Sequence, residues 1–433
     1  MLSHPLAAGS ATVLGVPLHL QTFEATHAAA LKRLAAIRPA EYARSRNALD
    51  GAVTGLSPYF THGILTMAEA VRTVHAAHSL GFDDKLVFEF AWREFFHHVW
   101  SRAADQGDAI LRNMHGTLPW HGTYADTLPQ DIREGRTGVA AIDNAVRILY
   151  GTGYLHNHLR MWLASYVVHV RKINWRVGAD WLYGHLLDGD LPSNHLSWQW
   201  VAATFSSKPY LFNAENVFKY APHNARSAWD CSGTVIDQSY EALDAMARNQ
   251  AGKLAERGQH AGVIEPALSS LIFESFDALN QSRRAQEAIN IIANESDVIL
   301  ELIHPFCLAP RAAGRSRGNV LRIGIIHTPA HAMWPWSERR WRFVLDAMAQ
   351  TTDAIWVGDV AQLDVPRGSR VTAQSTLFPG YREALSKVAT LFDAPRLLPN
   401  PTMACRSFTK FYDRARRDAG PFTSLIFGPD DAR

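Results

Sequence analysis

From about Glu24 to Tyr220 apolar residues recur every three or four positions, the period of a helix with one buried face. THAAALKRLAAI, TMAEAVRTVHAAHSL, KLVFEFAWREFFHHVWSRAADQG and VAAIDNAVRILYG carry that period. In the last, Thr137 is the expected N-cap, Asp143 and Arg147 an expected i,i+4 pair, and Gly151 the expected stop. Helical patterning continues to about Glu295, clearest in SYEALDAMARNQAGKLAER. Near Val298 it gives way to short apolar runs, VILELIH, VLRIGIIH, AIWVGD and SLIFG, separated by helix-like stretches such as SERRWRFVLDAMAQ. That alternation predicts a small α/β domain with a partly parallel sheet. The expected organisation is a mainly α-helical domain over 1–225, a helical connecting region over 226–297 and an α/β domain over 298–433.

Composition narrows this little. With 47% hydrophobic and 19% charged residues the 433-residue chain is globular, not disordered. A net charge of +2 permits contact with nucleic acid without arguing for it. Cys231, Cys307 and Cys405 are too few and too far apart for a disulfide framework or a zinc site, so a reducing, cytoplasmic setting is expected. The first residues, MLSHPLAAGSATVLGVPLHL, lack the basic start of a signal peptide. No window approaches the roughly 20 apolar residues that span a bilayer.

The chemistry concentrates between Gly151 and Trp200. There His156, Asn157, Arg160 and Met161 precede an acidic turn, Asp188-Gly189-Asp190, and a tryptophan-rich close, Trp198-Gln199-Trp200. Asn157, Arg160 and Met161 share one helical face, as do Glu89, Trp92 and Arg93 upstream. Two such faces together would offer a hydrogen-bonding edge, a stacking surface and fixed positive charge, a pocket for a large, flat, charged ligand. Each taken alone also fits an amphipathic helix with a surface ion pair. A carboxylate buried at Asp188 needs a partner, and Arg160 is the expected one. Asp188 and Asp190 could instead ligate Mg²⁺, but no further oxygen ligands cluster with them, and no metal is expected.

These residues resemble the flavin-binding helical domain of DNA photolyases and cryptochromes. WREFF, TGYLHNHLRM, INWRVGADW, LLDGDLPSN and WQW occur in that family's order and spacing, preceded by YARSRN from Tyr42 and LSPYFTHG from Leu56. The likeness covers about residues 24–220. It implies FAD as cofactor, with Tyr42, Thr54, Leu56 and Ser57 along the phosphates and ribityl chain. Arg93 would approach the cofactor, Arg160 and Asp188 would pair beside the isoalloxazine, Asp190 would meet the bent cofactor, and Asn194 would face flavin N5. Trp198, Trp175 and Trp120 would form an electron relay, although tryptophans in such positions also serve as core packing. Glu89, Trp92, Asn157, Met161 and Trp200 would line a cavity for a pyrimidine dimer flipped out of DNA. The implied activity is that of a deoxyribodipyrimidine photo-lyase acting on damaged DNA.

Departures from the family pattern accompany the match. Only about forty residues precede the first motif, so the family's usual α/β antenna domain is not expected ahead of it, and no antenna chromophore can be named. His158, grouped with the DNA-side residues, stands where many photolyases carry an arginine near a phosphate. Gly55 replaces another arginine, Leu86 a frequent tryptophan, and the segment HLS before WQW replaces glycines. The α/β half is a candidate for a rearranged antenna domain, and HTPAHAMWPWSERRW, after a strand, is its most ligand-like stretch, with His327 and His331 expected to be structural. Two other readings accompany repair: a blue-light photosensory flavoprotein, and a DNA- or protein-binding module without light chemistry.

Overall fold

In the computed structural model, residues 15, 20, 22–104, 113–250, 261–270, 276–292, 298–311, 320–366 and 368–427 are described. The chain divides into two compact, interleaved units. One gathers Met1–Phe23, Arg38–Gly55 and Arg102–Pro266, the other Glu24–Ile37, Leu56–Ser101 and Ala267–Arg433. Their limits fall at neither 225 nor 297.

The first unit is helical. Ala140–Thr152, Asn157–Ser165, Trp175–His185 and Leu191–Val201 pack around a core that includes Leu149, Leu159, Trp162, Leu182 and Trp198. Ala140–Thr152 starts after Val139, which has no side-chain cap bond. Asp143 instead reaches back to accept from Thr137 N, Thr137 Oγ1 and Gly138 N, satisfying donors that the helix start leaves open. The helix runs through Gly151 and stops at Gly153, whose φ of 70° is the left-handed value a C-terminal cap requires. Tyr240–Arg248 joins this unit through Lys172, whose Nζ donates to the Met246 and Ala247 carbonyls at that helix's open end.

The second unit is built on a five-stranded sheet. Strands β1 (Ile299–Ile303), β2 (Val320–His327), β3 (Ala354–Gly358), β4 (Arg370–Gln374) and β5 (Thr390–Phe392) are ordered β3-β2-β1-β4-β5 and paired parallel throughout. This is a doubly wound order whose direction reverses between β1 and β4. The first three strands match the expected apolar runs. β4 and β5 lie in stretches without such runs, and SLIFG is no strand, since the helix Phe422–Phe427 takes most of it and packs on Met67–His78. Between β1 and β2, residues 312–319 lie outside the described residues. At the strand ends, His331 is fully buried, with Nε2 2.9 Å from the Tyr381 hydroxyl and Trp336, Trp341 and Phe378 around its ring. This end of the sheet is packed core.

Among the described residues no helix is long and apolar enough to cross a membrane, and no cluster of three or more His, Cys, Asp or Glu is arranged to hold a metal. All three cysteines are buried and unbridged.

Candidate functional site

Arg160 and Asp188 meet in the first unit. The helix Asn157–Ser165 is capped by His156, whose Nδ1 accepts from His158 N, and this sets the facing of Arg160 one turn on. Arg160 Nη2 lies 2.7 Å from Asp188 Oδ2, and its Nε donates to the Leu155 carbonyl. The Asp188 side chain is 2% exposed and that of Arg160 25%. Burial disfavours the guanidinium charge, but Asp188, with Tyr154 beside it, outweighs that and raises the Arg160 pKa. The result is a fixed cation with Nη1 engaged by no described residue.

Two residues after Asp188, Asp190 caps the helix Leu191–Val201 by accepting from Ser193 N. One turn into that helix is Asn194, 9% exposed. Its Nδ2 donates to the Ala179 carbonyl at 2.8 Å and stands 3.4 Å from His195 Nδ1. Its Oδ1 accepts from no described residue.

The same helix carries Trp198, 2% exposed. Its ring lies on Gly178, where an added Cβ would sit 2.3 Å from the indole, so a glycine is what lets the two helices approach. Gly178 is one turn from Trp175, which is also 2% exposed and donates through Nε1 to Asn113 Oδ1 at 2.9 Å. Trp120 is half-buried beside Tyr124, its ring 5.9 Å from Lys172 Nζ.

Asn157 and Trp200 are exposed and Met161 half-buried. Asn157 Nδ2 is 3.3 Å from Met161 Sδ, and Trp200 packs against Tyr210 at 5.9 Å. This leaves an accessible polar and aromatic face on the unit. His158 is different. It is 8% exposed, wedged between the rings of His156, Tyr220 and Trp162. Burial, with Arg46 nearby, pushes its pKa down to about 4. Held this way, it carries no charge near neutrality and offers none to a phosphate in this structure.

Tyr42 and Thr54 belong to the first unit, with Tyr42 on the helix Pro39–Ser45. Leu56, Ser57, Glu89, Trp92 and Arg93 belong to the second, where Ser57 begins a short helix and the other three lie on Lys85–Ala104. There Glu89 pairs at 2.9 Å with Lys85, one turn earlier on the same helix, a residue that the sequence reading did not single out. Trp92 stacks on Phe408 with ring centres 4.1 Å apart and planes 10° apart, which occupies one indole face. Glu94, on the same helix, is 3% exposed and pairs with Arg396 at 2.6 Å. No sequence pattern pointed to these C-terminal partners.

Two cavities lie elsewhere. One of about 370 Å³ is lined by Gln130, Arg133, Glu134 and residues 262–265, the other of about 340 Å³ by residues that include Thr26, Ile64, Arg311 and Gln350. Neither includes an expected flavin residue.

A fixed, partly buried cation, an amide oxygen that no described residue uses and two buried indoles on a helical fold are groups that a flavin site could use. Residues 86–262 match the family model for the FAD-binding domain of DNA photolyase. Over this part the chain resembles the photolyase/cryptochrome family. It is similar to the deoxyribodipyrimidine photo-lyase of Synechococcus sp., 32% identical over 207 residues, 46% of this chain and 41% of that protein. It is likewise similar to a deoxyribodipyrimidine photo-lyase of Thermus thermophilus, 32% identical over 217 residues, 50% of this chain and 51% of that protein. The chain thus spans about half or less of the length of these relatives. A solved cryptochrome from Synechocystis sp. aligns with a TM-score of 0.42 at 22% identity, over 53% of this chain and 52% of that one. A class III photolyase from Agrobacterium tumefaciens aligns at 0.41 and 23%, over 54% and 53%.

Proposed function

We propose that this protein is a light-driven DNA repair enzyme that uses FAD to split cyclobutane pyrimidine dimers. The observation that carries the cofactor reading is the Arg160–Asp188 pair with its spare Nη1 donors, together with an Asn194 Oδ1 that no described residue uses. Those groups suit a flat ring with both acceptor and donor edges. In this reading Tyr42, Thr54, Leu56 and Ser57 hold the phosphates and ribityl chain, Arg93 and Asp190 contact the cofactor, and Asn194 faces N5. When bound and reduced, the flavin supplies an excited-state electron donor.

The chain's own residues then do three things. Arg160, kept charged by Asp188, orients the cofactor and balances negative charge on it. Trp198, Trp175 and Trp120 carry electrons inward in short hops, and their burial supports this reading for the first two. Asn157, Met161 and Trp200 receive a flipped dimer on the accessible face, with Trp200 stacking worth about 1–3 kcal/mol per base. Glu89 hydrogen-bonds the base edge, and Trp92 adds an aromatic contact. DNA phosphates must be met by cations other than His158. The site also supports a second reading, a photosensory flavoprotein, because the buried tryptophans serve photoreduction whether or not DNA binds.

Purified protein is supplemented with FAD, desalted and illuminated with an external reductant. Near-stoichiometric flavin that bleaches in light supports a photoactive flavoprotein, and a colourless product overturns both readings. Bleaching that is intact while dimer-containing DNA stays unrepaired favours the sensor.

A further inference from the structure

Asn194 has a neighbour that the resemblance does not assign. His195 is fully buried, and its Nε2 lies 2.8 Å from Oδ1 of Asp180, on the adjoining helix Trp175–His185. A carboxylate only accepts, so Nε2 carries the proton and donates. The atom of Asn194 within 2.8 Å of the Ala179 carbonyl must likewise be a donor, which fixes it as Nδ2. That Nδ2 also stands 3.4 Å from His195 Nδ1. A proton on Nδ1 would set two donors against each other, so Nδ1 presents its lone pair. Both N–H groups of the amide are then committed to the protein, and Oδ1 is the one group Asn194 has left.

We propose that His195, held in the Nε2–H tautomer by Asp180, is a positioning residue that locks the Asn194 amide so that it offers only an acceptor oxygen to flavin N5. This rests on the FAD reading above. An acceptor at N5 favours the one-electron-reduced flavin that carries a proton there, which is blue, over the unprotonated red form. The electron comes from the external reductant and the proton from solvent. The side chain of Asp180 is 42% exposed, so replacing it leaves the core intact. Without Asp180, His195 can protonate Nδ1, and the amide loses one of its two anchors.

The test compares wild type, Asp180→Ala, Asp180→Glu and His195→Asn, each loaded with FAD and photoreduced anaerobically. Wild type is expected to give mainly blue flavin. Asp180→Ala is expected to keep its FAD while the blue-to-red ratio falls roughly fivefold, the equivalent of one neutral hydrogen bond. Asp180→Glu restores the ratio, and His195→Asn, which keeps an acceptor near the Nδ1 position, retains part of it. Unchanged colour in Asp180→Ala and His195→Asn with full FAD content overturns the positioning role and leaves the flavin reading standing. Wild type that binds no FAD overturns the flavin reading and this inference with it. Should His195→Asn fail to fold, the Asp180 pair of variants decides.

Discussion

Asp188 and Glu89 are both carboxylates in ion pairs, yet their surroundings give them different weight. Asp188 is buried against Arg160, so Asp188→Ala strands a guanidinium that already has little water. We expect a loss of about 2–4 kcal/mol, less than for a fully buried pair because Arg160 is partly exposed, measured as a lower urea midpoint, together with loss of FAD on desalting. Retained FAD would contradict the pairing's role in cofactor binding. Glu89 faces Lys85 at the surface, and Glu89→Ala should shift stability by no more than about 0.5 kcal/mol. FAD content should hold while dimer splitting slows, and an unchanged splitting rate would remove Glu89 from the substrate face. The Arg160–Asp188 pair was legible in the sequence, because a carboxylate among aromatics needs a cation. The Asp180–His195–Asn194 chain was not, since Asp180 sits 15 positions from His195 on another helix and no spacing rule joins them. The burial of His158 was not legible for a related reason, since the rings of His156, Tyr220 and Trp162 close over it only in the fold.

At the scale of elements, the approach of Trp175–His185 to Leu191–Val201 depends on one missing side chain. Gly178→Ala would drive a Cβ into the Trp198 ring, with Val167 on its other side. Overpacking of this kind costs about 1–3 kcal/mol. The variant should melt earlier than wild type and show altered Trp198 fluorescence, whereas an unchanged melting temperature would mean the helices can part without cost. Periodicity located the helices of the first unit, but the stop moved from Gly151 to Gly153, because only the latter takes the left-handed backbone that ends the helix. In the second unit β1, β2 and β3 are apolar enough to be seen in advance. β4, RVTAQ, alternates exposed and buried positions and is too short and polar to stand out, and β5 has only three residues. SLIFG reads as a strand by composition and becomes helical where it packs on Met67–His78.

For the molecule as a whole, buried neutral histidines predict acid sensitivity. Burial pushes His156 down to about 3 and His158, His169 and His304 to about 4, from an ordinary 6.5. Such groups bind protons more readily when unfolded, so their contribution is fully present above about pH 6.5 and is lost as pH falls toward 4, and toward 3 for His156. Each is worth on the order of 1–3 kcal/mol across that window. Urea midpoints should therefore drop steeply between about pH 7 and pH 4. His156→Asn, which can still cap its helix, should flatten part of the drop, and a midpoint indifferent to pH would contradict the buried neutral state. At this scale the helical and α/β halves could be read from the sequence. The interleaving of chain segments between the two units could not, because it depends on contacts such as Trp92 with Phe408 and Glu94 with Arg396 that join residues some 300 positions apart.

The central claim is that the FAD-loaded chain repairs dimers with light. Its most direct test counts cyclobutane dimers in an irradiated oligonucleotide incubated with the reduced, FAD-loaded protein under blue light and in the dark. Loss of dimers in the light alone, with intact pyrimidines recovered in their place, is the predicted result. Equal dimer counts in light and dark, from protein that holds its FAD, would contradict it.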